Sequence, residues 1–382
     1  MIIQYLFASP EGDIPLTPDK ISTPFKMTLI EDHPFLTLGD YFENIRDFLL
    51  EDIGPLMALL REQLNRTIVF EDIKRLLIRS EKHGALYHLA SAEIFIAGQS
   101  VKYAVSSAVS EKGRAWLHHE YNLLRYLRAL YNLNFLPEVY FIKEMNLQSG
   151  TRKASISMFL GDWFEDYHEW HLSLDPRDRS QKIRIWDQKR GHRFASREEQ
   201  FEIYQQAARI LSLYYDTREF RQIHPWHHAA GDFVVKCSAR TMNVKLTTAR
   251  GYKPFINPLK DEKIDPFIAI TYFLLNLTIK MRLDRRDGTG EMAWAADDSV
   301  EATIGGFMEA IKMMEMGKRF DMGTVKDLLS LLKSFNRGEL YKLHKPLLEF
   351  FRDEAPMDFS VITKNLNDHI NKVYQVIQRF HE

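Results

Sequence analysis

The chain has 382 residues, 45% of them hydrophobic, which is enough to form a full core and fits two or three lobes better than one small domain. Its 51 Lys and Arg residues balance its 52 Asp and Glu residues, which excludes a global electrostatic attraction to nucleic acid or to a membrane surface. The single cysteine, Cys237, excludes an internal disulfide framework and is typical of a reducing compartment, so we expect a cytoplasmic protein.

Residues 1–65 are predicted to form an N-terminal arm and a helical preface. Residues 1–8 are apolar but lack the positive charge of a secretory signal, which predicts an edge strand or an arm. Five prolines before residue 37 argue against long regular structure in this part of the chain. From Leu38 onward, apolar residues recur at helical spacing, interrupted at Gly54-Pro55.

Residues 66–160 are predicted to form a small mixed lobe. Strand-like patterns occur at 76–79, 87–96, 101–109, 139–143 and 155–160. Ser110 is placed to cap a helix from Glu111 to about residue 130, between the third and fourth strands. The expected order is therefore three strands, one helix and two strands.

Residues 161–382 are predicted to form a mainly helical second lobe, which gives the whole chain an α+β fold class. It opens with an aromatic and acidic connector at 161–171, and a capping box of Ser196 and Glu199 begins a helix that extends to residue 215. Further helices are predicted at 265–282, 298–315, 323–334, 338–352 and 358–380. The longest strongly apolar run, 266–279, is too short for a bilayer of about 30 Å, so no membrane is expected as a partner.

Residues 175–193 carry an excess of four positive charges. Such a segment is either a solvated hairpin or a place that holds an anionic group.

The segment from Ile223 to Lys236 contains three of the chain's 14 histidines, at 224, 227 and 228, followed by Gly231 and Asp232. It lies between a predicted helix and a small hairpin at 232–236 and 243–248, so its polar side chains are expected on a loop held by packed elements. Such a loop is a common location for catalytic groups. In the alternative interpretation the histidines only close a helix and hydrogen-bond to buried carbonyl groups.

The element order, together with a hairpin that follows a histidine-rich loop, resembles the protein-kinase-like fold, and most closely its aminoglycoside phosphotransferase branch. The resemblance covers roughly residues 70–282. It implies a two-lobed fold, with a mixed small lobe at 66–160 and a mainly helical lobe at 161–382 that contains a catalytic-loop-like segment at 223–236. ATP and magnesium are the cofactors that it implies.

In kinase-like enzymes a strand lysine pairs with a helix glutamate to hold the phosphates of ATP. The resemblance assigns these cofactor-binding roles to Lys102 and Glu120, although Ser106 shares the strand face of Lys102 and fits the lysine position equally well. The glycine-rich phosphate cover corresponds to residues 80–86, which contain one glycine.

The catalytic loop of the family places a base five residues before a metal ligand, and here those positions hold His227 and Asp232. A neutral histidine can accept a proton, and a carboxylate is a good magnesium ligand, so the resemblance makes His227 and Asp232 catalytic and Asp232 the metal ligand. The aspartate of the family's Asp-Phe-Gly motif has no counterpart in Thr248-Ala249-Arg250-Gly251. Arg250 instead supplies a cofactor-binding cation where magnesium normally bridges the phosphates.

The expected function is therefore that of a degenerate kinase-like or phosphotransferase-like protein that binds a nucleotide or another small anionic, phosphorylated molecule. Whether it retains enzyme activity stays open. One alternative is an unorthodox phosphotransferase acting on a small-molecule hydroxyl, with His227 as the base. Another is a metal-dependent enzyme that uses His224, His227, His228 and Asp232. A fourth is a scaffold that binds a partner through the region of Met313, Met314 and Met316 or through the last helix.

Overall fold

The structure is a computed structural model that describes residues 1–9, 12–27, 31–84, 86–149, 152–187, 190–238, 241–254 and 265–381. It divides into two compact units, Met1–Glu165 and Asp166–Glu382. Helices and strands occur in both units, which confirms the predicted α+β class. The sequence pattern placed the start of the second lobe at residue 161.

The first unit contains, in chain order, β1 (Ile2–Phe7), β2 (Ile14–Pro15), α1 (Pro18–Ile21), β3 (Pro24–Lys26), β4 (Asp32–Thr37), α2 (Leu38–Leu50), α3 (Ile53–Leu64), β5 (Ile73–His83), β6 (His88–Ile96), β7 (Gln99–Ala108), α4 (Glu111–Tyr131), β8 (Val139–Ser149) and β9 (Arg152–Asp162).

Seven of these strands form one sheet in the order β2-β1-β5-β6-β7-β9-β8. The five predicted strands correspond to β5 through β9, and the predicted helix is α4, whose N-cap Ser110 accepts a hydrogen bond from the backbone N–H of Gly113 at 3.0 Å. β1 lies inside the sheet rather than at its edge, because it pairs in parallel with β5 and antiparallel with β2. A parallel partner some 70 residues away leaves no local pattern in the sequence.

The core of the first unit lies between one face of this sheet and the helices α2 and α3. The fully buried side chains of Phe42, Ile45 and Leu60 belong to the same hydrophobic cluster as Ile78 and Val105 of the sheet. The helical preface of the sequence is therefore part of the first unit's core. Burial of large apolar side chains of this kind is worth about 1.5–3 kcal/mol each.

The second unit contains, in chain order, β10 (His168–Leu174), β11 (Gln181–Ile185), β12 (Arg193–Phe194), α5 (Arg197–Leu213), β13 (Arg221–Ile223), β14 (Phe233–Cys237), β15 (Met242–Leu246), β16 (Tyr252–Pro254), α6 (Pro266–Lys280), β17 (Leu283–Arg285), β18 (Met292–Trp294), α7 (Asp298–Met316), α8 (Val325–Ser334), α9 (Arg337–Glu354) and α10 (Pro356–Arg379).

A five-stranded sheet in the order β12-β11-β10-β14-β15 corrects the predicted connector at 161–171, since its last residues are the start of the central strand β10. The connector prediction failed there because His171 is polar and yet 2% exposed, which hides the alternation of a strand. Beyond residue 265 the five predicted helices correspond to α6 through α10. The pattern missed the short antiparallel ribbon of β17 and β18.

The helical part of the second unit packs closely. The backbone of α7 approaches α5 so tightly that a Cβ on Gly306 would lie 2.0 Å from the carbonyl oxygen of Gln205, so only glycine fits there. The capping box at the start of α5 is present, because Ser196 accepts from Glu199 N–H at 3.2 Å and the Glu199 carboxylate accepts from Ser196 N–H at 2.8 Å. In the described ranges no helix combines the length and the hydropathy needed to cross a membrane.

Candidate functional site

The histidine loop, which we define as residues 224–232, connects β13 to β14 in the second unit. It begins at a cis His224–Pro225 peptide bond and contains one turn of 3-10 helix at His228–Ala230. Gly231 ends this turn with a φ of +70°, and a Cβ at Gly231 would lie 2.6 Å from the carboxylate of Glu169. The left-handed φ favours glycine at this position, and a larger residue would also make the Glu169 carboxylate shift.

Asp232 is the buried carboxylate of the loop. Its side chain is 1% exposed, and both carboxylate oxygens accept hydrogen bonds from the guanidinium of Arg250. One of the oxygens also accepts the backbone N–H of His227 at 2.8 Å. Three predicted site residues, His227, Asp232 and Arg250, therefore lie together in one unit.

This arrangement bears directly on metal binding. A carboxylate that is held by both arms of a guanidinium can bind magnesium only after Arg250 is displaced. Ala249 occupies the position of the family's aspartate. Its methyl side chain is fully buried and cannot bind a metal. Within the residues that the structure describes, no group of three or more His, Cys, Asp and Glu side chains could hold a metal ion.

His227 is exposed to solvent, and the cations whose charges act on its ring are Lys280 and Arg250. Its pKa is lowered by these surroundings, first through loss of hydration and then through the charges of Lys280 and Arg250. Because water reaches the exposed ring and screens those charges, we expect a smaller depression than a buried histidine would have. The imidazole is neutral at pH 7 and can accept a proton, but only as a weak base.

His224 and His228 have different environments. Burial lowers the pKa of His228 to about 4, and its ring centroid lies 4.4 Å from that of Trp170 and 5.4 Å from that of Trp226. The backbone N–H of His224 donates to the carbonyl of Gly251 at 3.0 Å, which ties the loop to the segment that carries Arg250. His228 therefore packs in an aromatic cluster, and the backbone of His224 is hydrogen-bonded to the segment that carries Arg250.

Lys280, the last residue of α6, is a neighbour of the loop that the sequence did not single out. The whole residue is 4% exposed, and its ammonium nitrogen lies 4.9 Å from the centroid of the Trp226 ring. Burial lowers the pKa of Lys280 to about 8, with Arg250 acting in the same direction and Asp358 and Asp232 opposing it. The only available signal was a lysine that ends a strongly apolar helix.

A second group missed by the sequence comprises Glu169, His171 and Asp284. His171 Nε2 lies 3.7 Å from a Glu169 oxygen, and Nδ1 lies 3.5 Å from an Asp284 oxygen. Burial alone would lower the pKa of His171, but Asp284 and Glu169 outweigh it and raise the pKa to about 9. The pair formed by His171 and Asp284 is a buried ion pair at neutral pH, with 2% and 1% exposure of the two side chains.

Lys102 and Glu120 belong to the first unit, whereas the histidine loop belongs to the second. On β7, the ammonium of Lys102 lies 3.5 Å from a Glu81 carboxylate oxygen and 4.0 Å from the centroid of the Trp163 ring. Glu120 lies on α4 with 5% exposure. Ser106, the alternative for the lysine position, is 6% exposed on the same strand.

The segment that corresponds to the glycine-rich cover, residues 80–86, forms the end of β5 and the turn into β6, and Ala85 lies outside the described residues. Phe25 packs against it, with ring centroids 5.8 Å from His83 and 4.7 Å from His88. Residues of the N-terminal arm therefore cover this turn on one side.

The basic segment at 175–193 lines a shallow cavity of about 460 Å³ together with the start of α5. Its cations are engaged within the unit: Lys182 pairs with Asp175 at 2.9 Å and with Asp178 at 2.7 Å, and Arg193 pairs with Glu199 at 2.7 Å. These carboxylates neutralise much of the charge that an anion would need, which favours the solvated-hairpin interpretation. Lys189 lies outside the described residues.

No protein-family model matches this chain, and a search of curated proteins found no match.

Proposed function

We propose that this protein is kinase-like with a degenerate site, and that it binds a nucleotide or another small phosphorylated molecule at the histidine loop. The observation that carries the proposal is Arg250, whose guanidinium is held by the buried carboxylate of Asp232 and whose charge acts on the pKa of Lys280. Asp232 takes one N–H from each terminal nitrogen of this guanidinium and fixes its plane, so a phosphate oxygen would be met by the N–H groups that remain.

The order of elements supports the kinase-like part of the proposal. In the first unit β5, β6 and β7 precede α4, and β8 and β9 follow it, all within one sheet. In the second unit the histidine loop precedes the antiparallel hairpin of β14 and β15. These are the features on which the resemblance of the sequence rests.

The electrostatics favour binding over phosphoryl transfer. Transfer depends on positioned metal ions and charge neutralisation. Here Asp232 is engaged by Arg250, and Ala249 offers no carboxylate as a second ligand. Lowered pKa values keep the loop histidines neutral at pH 7, so Arg250 and Lys280 are the cations that attract an anionic ligand.

Calorimetric titration with ATP, ADP, pyrophosphate and a set of sugar phosphates, each with and without magnesium, tests the proposal. We expect at least one phosphorylated ligand to bind without magnesium, and its unphosphorylated counterpart to bind more weakly by about tenfold or more, since each charge-assisted hydrogen bond is worth about 1.5–3 kcal/mol.

The matched variant is the double substitution Asp232→Asn and Arg250→Gln, which removes the guanidinium without leaving a buried carboxylate unpaired. We expect it to weaken binding by about tenfold or more, whereas Cys237→Ala leaves binding unchanged. Equal affinity in both variants, or no binding of any phosphorylated ligand to the wild type, would contradict the proposal.

A further inference from the structure

Among the lysines of the second unit that the structure describes, Lys280 is buried without a carboxylate in ion-pair contact. Among the described residues its ammonium group makes no side-chain hydrogen bond and no ion pair, and it lies over the face of Trp226, with 4.9 Å between the ammonium nitrogen and the ring centroid. By contrast, Lys182 is bound by two carboxylates. Buried cations are ordinarily paired, and an unpaired buried amine is a common form of activated nucleophile.

We infer that Lys280 condenses with an aldehyde or ketone group of the ligand, so that the ligand class of the histidine loop is a phosphorylated carbonyl compound. This inference rests on the proposed function for the phosphate, which Arg250 would hold. It adds the chemical group at the other end of the ligand, which Lys280 would attack.

The environment of Lys280 favours the neutral amine that such a reaction needs. Its pKa is lowered to about 8, mainly by burial and further by Arg250, whereas an exposed lysine has a pKa near 10.5. The charged and titratable groups near it are Asp358 at the start of α10, Asp232 and Arg250, and His224, His227 and His228 of the loop. A neutral fraction that is large near pH 8 makes Lys280 reactive where other lysines are protonated.

The reaction is balanced without an oxidant or a reductant. The lone pair of the neutral amine forms a bond to the carbonyl carbon, the π pair of the carbonyl moves to its oxygen, and a proton passes from nitrogen to that oxygen to give a carbinolamine. Loss of the hydroxyl as water then forms the carbon–nitrogen double bond. The second proton of the nitrogen leaves with that hydroxyl, so the products are the imine and one molecule of water.

Pyridoxal 5′-phosphate is the probe for the test, since it carries an aldehyde and a phosphate. The full-length protein is incubated with a limiting amount at pH 8, reduced with borohydride, and mapped by mass spectrometry of its peptides. We expect Lys280 to be modified ahead of the exposed Lys326, and about fivefold less modification of Lys280 at pH 7 than at pH 8, because the protonated fraction rises as the pH falls below the pKa.

Two variants accompany the map. Lys280→Arg keeps the positive charge over Trp226 and removes the nucleophile, so it should bind the probe without forming the imine absorbance. Lys280→Met keeps the packing and removes the charge, so it should lose the absorbance and bind the probe more weakly. The map of the wild type needs neither variant, so a folding defect in one of them leaves the test intact.

The outcomes separate this inference from the proposed function. Suppose that pyridoxal without its phosphate modifies Lys280 as readily as pyridoxal 5′-phosphate, and that inorganic phosphate does not compete. Lys280 is then a reactive nucleophile, but the proposed phosphate site is contradicted. If instead the probe binds in competition with pyrophosphate but Lys280 is modified no faster than Lys326, the phosphate site is supported and the inferred reactivity of Lys280 is contradicted.

Discussion

Asp232 combines near-complete burial with three hydrogen-bond donors from two different segments of the chain. Its carboxylate therefore holds both the histidine loop, through His227 N–H, and the segment that carries Arg250. The two partners are unequal in exposure, because the side chain of Arg250 is 28% exposed and that of Asp232 is 1% exposed. Removing one charge is not equivalent to removing the other.

We predict that Arg250→Ala lowers the free energy of unfolding by about 3 kcal/mol, since it leaves a buried carboxylate without its counterion. Asp232→Asn should cost less, about 1–2 kcal/mol, because the amide oxygen still accepts His227 N–H and the guanidinium still reaches water. Denaturant unfolding of both variants measures the difference. Arg218→Ala, which breaks an ion pair with an exposed Asp321, is the control and should cost less than about 1 kcal/mol. Equal losses for Arg250→Ala and Arg218→Ala would contradict the role given to Asp232.

His171 makes the stability of the second unit depend on pH. Its folded pKa is raised to about 9 from an ordinary value of 6.5. A raised pKa means that the folded state binds the proton more tightly, so the stabilisation is fully present below pH 6.5 and is lost as the pH rises to 9. At about 1.4 kcal/mol per pKa unit, the loss is on the order of 3 kcal/mol.

The test compares the wild type with His171→Gln, which cannot take up the proton. We expect the difference in unfolding free energy between the two proteins to shrink as the pH rises from 6 to 9.5. Because the other titrating groups are common to both proteins, their contributions cancel in this difference. A difference that stays constant over the range would show that His171 carries no extra proton in the folded state.

At the scale of elements, local patterns located most helices and strands, and long-range pairing accounts for the failures. The helix predicted at 111–130 is α4 at Glu111–Tyr131, because an N-cap serine and an apolar stripe are local signals. The place of β1 inside the sheet, the ribbon of β17 and β18, and the burial of His171 depend on partners distant in the chain. Arg250 and Asp232 were both identified as site residues, but their mutual ion pair could not be read from a spacing of eighteen residues.

The turn that ends the histidine loop provides the prediction at this scale. Gly231→Ala would force a left-handed φ on an alanine and place its Cβ 2.6 Å from the Glu169 carboxylate. We expect the unfolding free energy to fall by about 1–3 kcal/mol. We also expect the phosphorylated ligand to bind more weakly, since the turn sets the position of Asp232.

Gly191→Ala is the matched control for Gly231→Ala. Gly191 also has a positive φ, of +90°, but nothing lies within 4 Å of the Cβ position, so this variant reports the backbone strain alone. It should cost about 1 kcal/mol and leave ligand binding unchanged. If both variants bind the ligand equally well, the contact between Gly231 and Glu169 has no part in shaping the site.

At the scale of the whole molecule, the chain folds into two units of mixed composition, each with its own sheet. The α+β class was predicted from periodicity, with strands early and helices late, and it is confirmed although the second unit also has its own five-stranded sheet. The sequence was sufficient to select the loop residues as candidates, since a loop with three histidines, an aspartate and a nearby arginine is unusual. Lys280 was not, because an end-of-helix lysine is ordinarily a solvated one and only its burial over Trp226 distinguishes it.

Under the proposed function, the activity depends on which charges the protein places around a phosphate. A kinase-like enzyme places magnesium between phosphate oxygens and carboxylates, and the metal supplies a large part of the stabilisation of the transition state. Here Asp232 is bound by Arg250, and a guanidinium pairs with phosphate oxygens but does not bridge them as an octahedral cation does.

We therefore predict that ATP turnover with small hydroxyl substrates is absent or very weak, even with magnesium, while binding of a phosphorylated ligand persists. A coupled assay for ADP release, run beside calorimetric binding on the same preparation, measures both quantities. Magnesium-dependent phosphorylation that His227→Ala abolishes and Cys237→Ala leaves intact would instead establish an unorthodox phosphotransferase with His227 as its base.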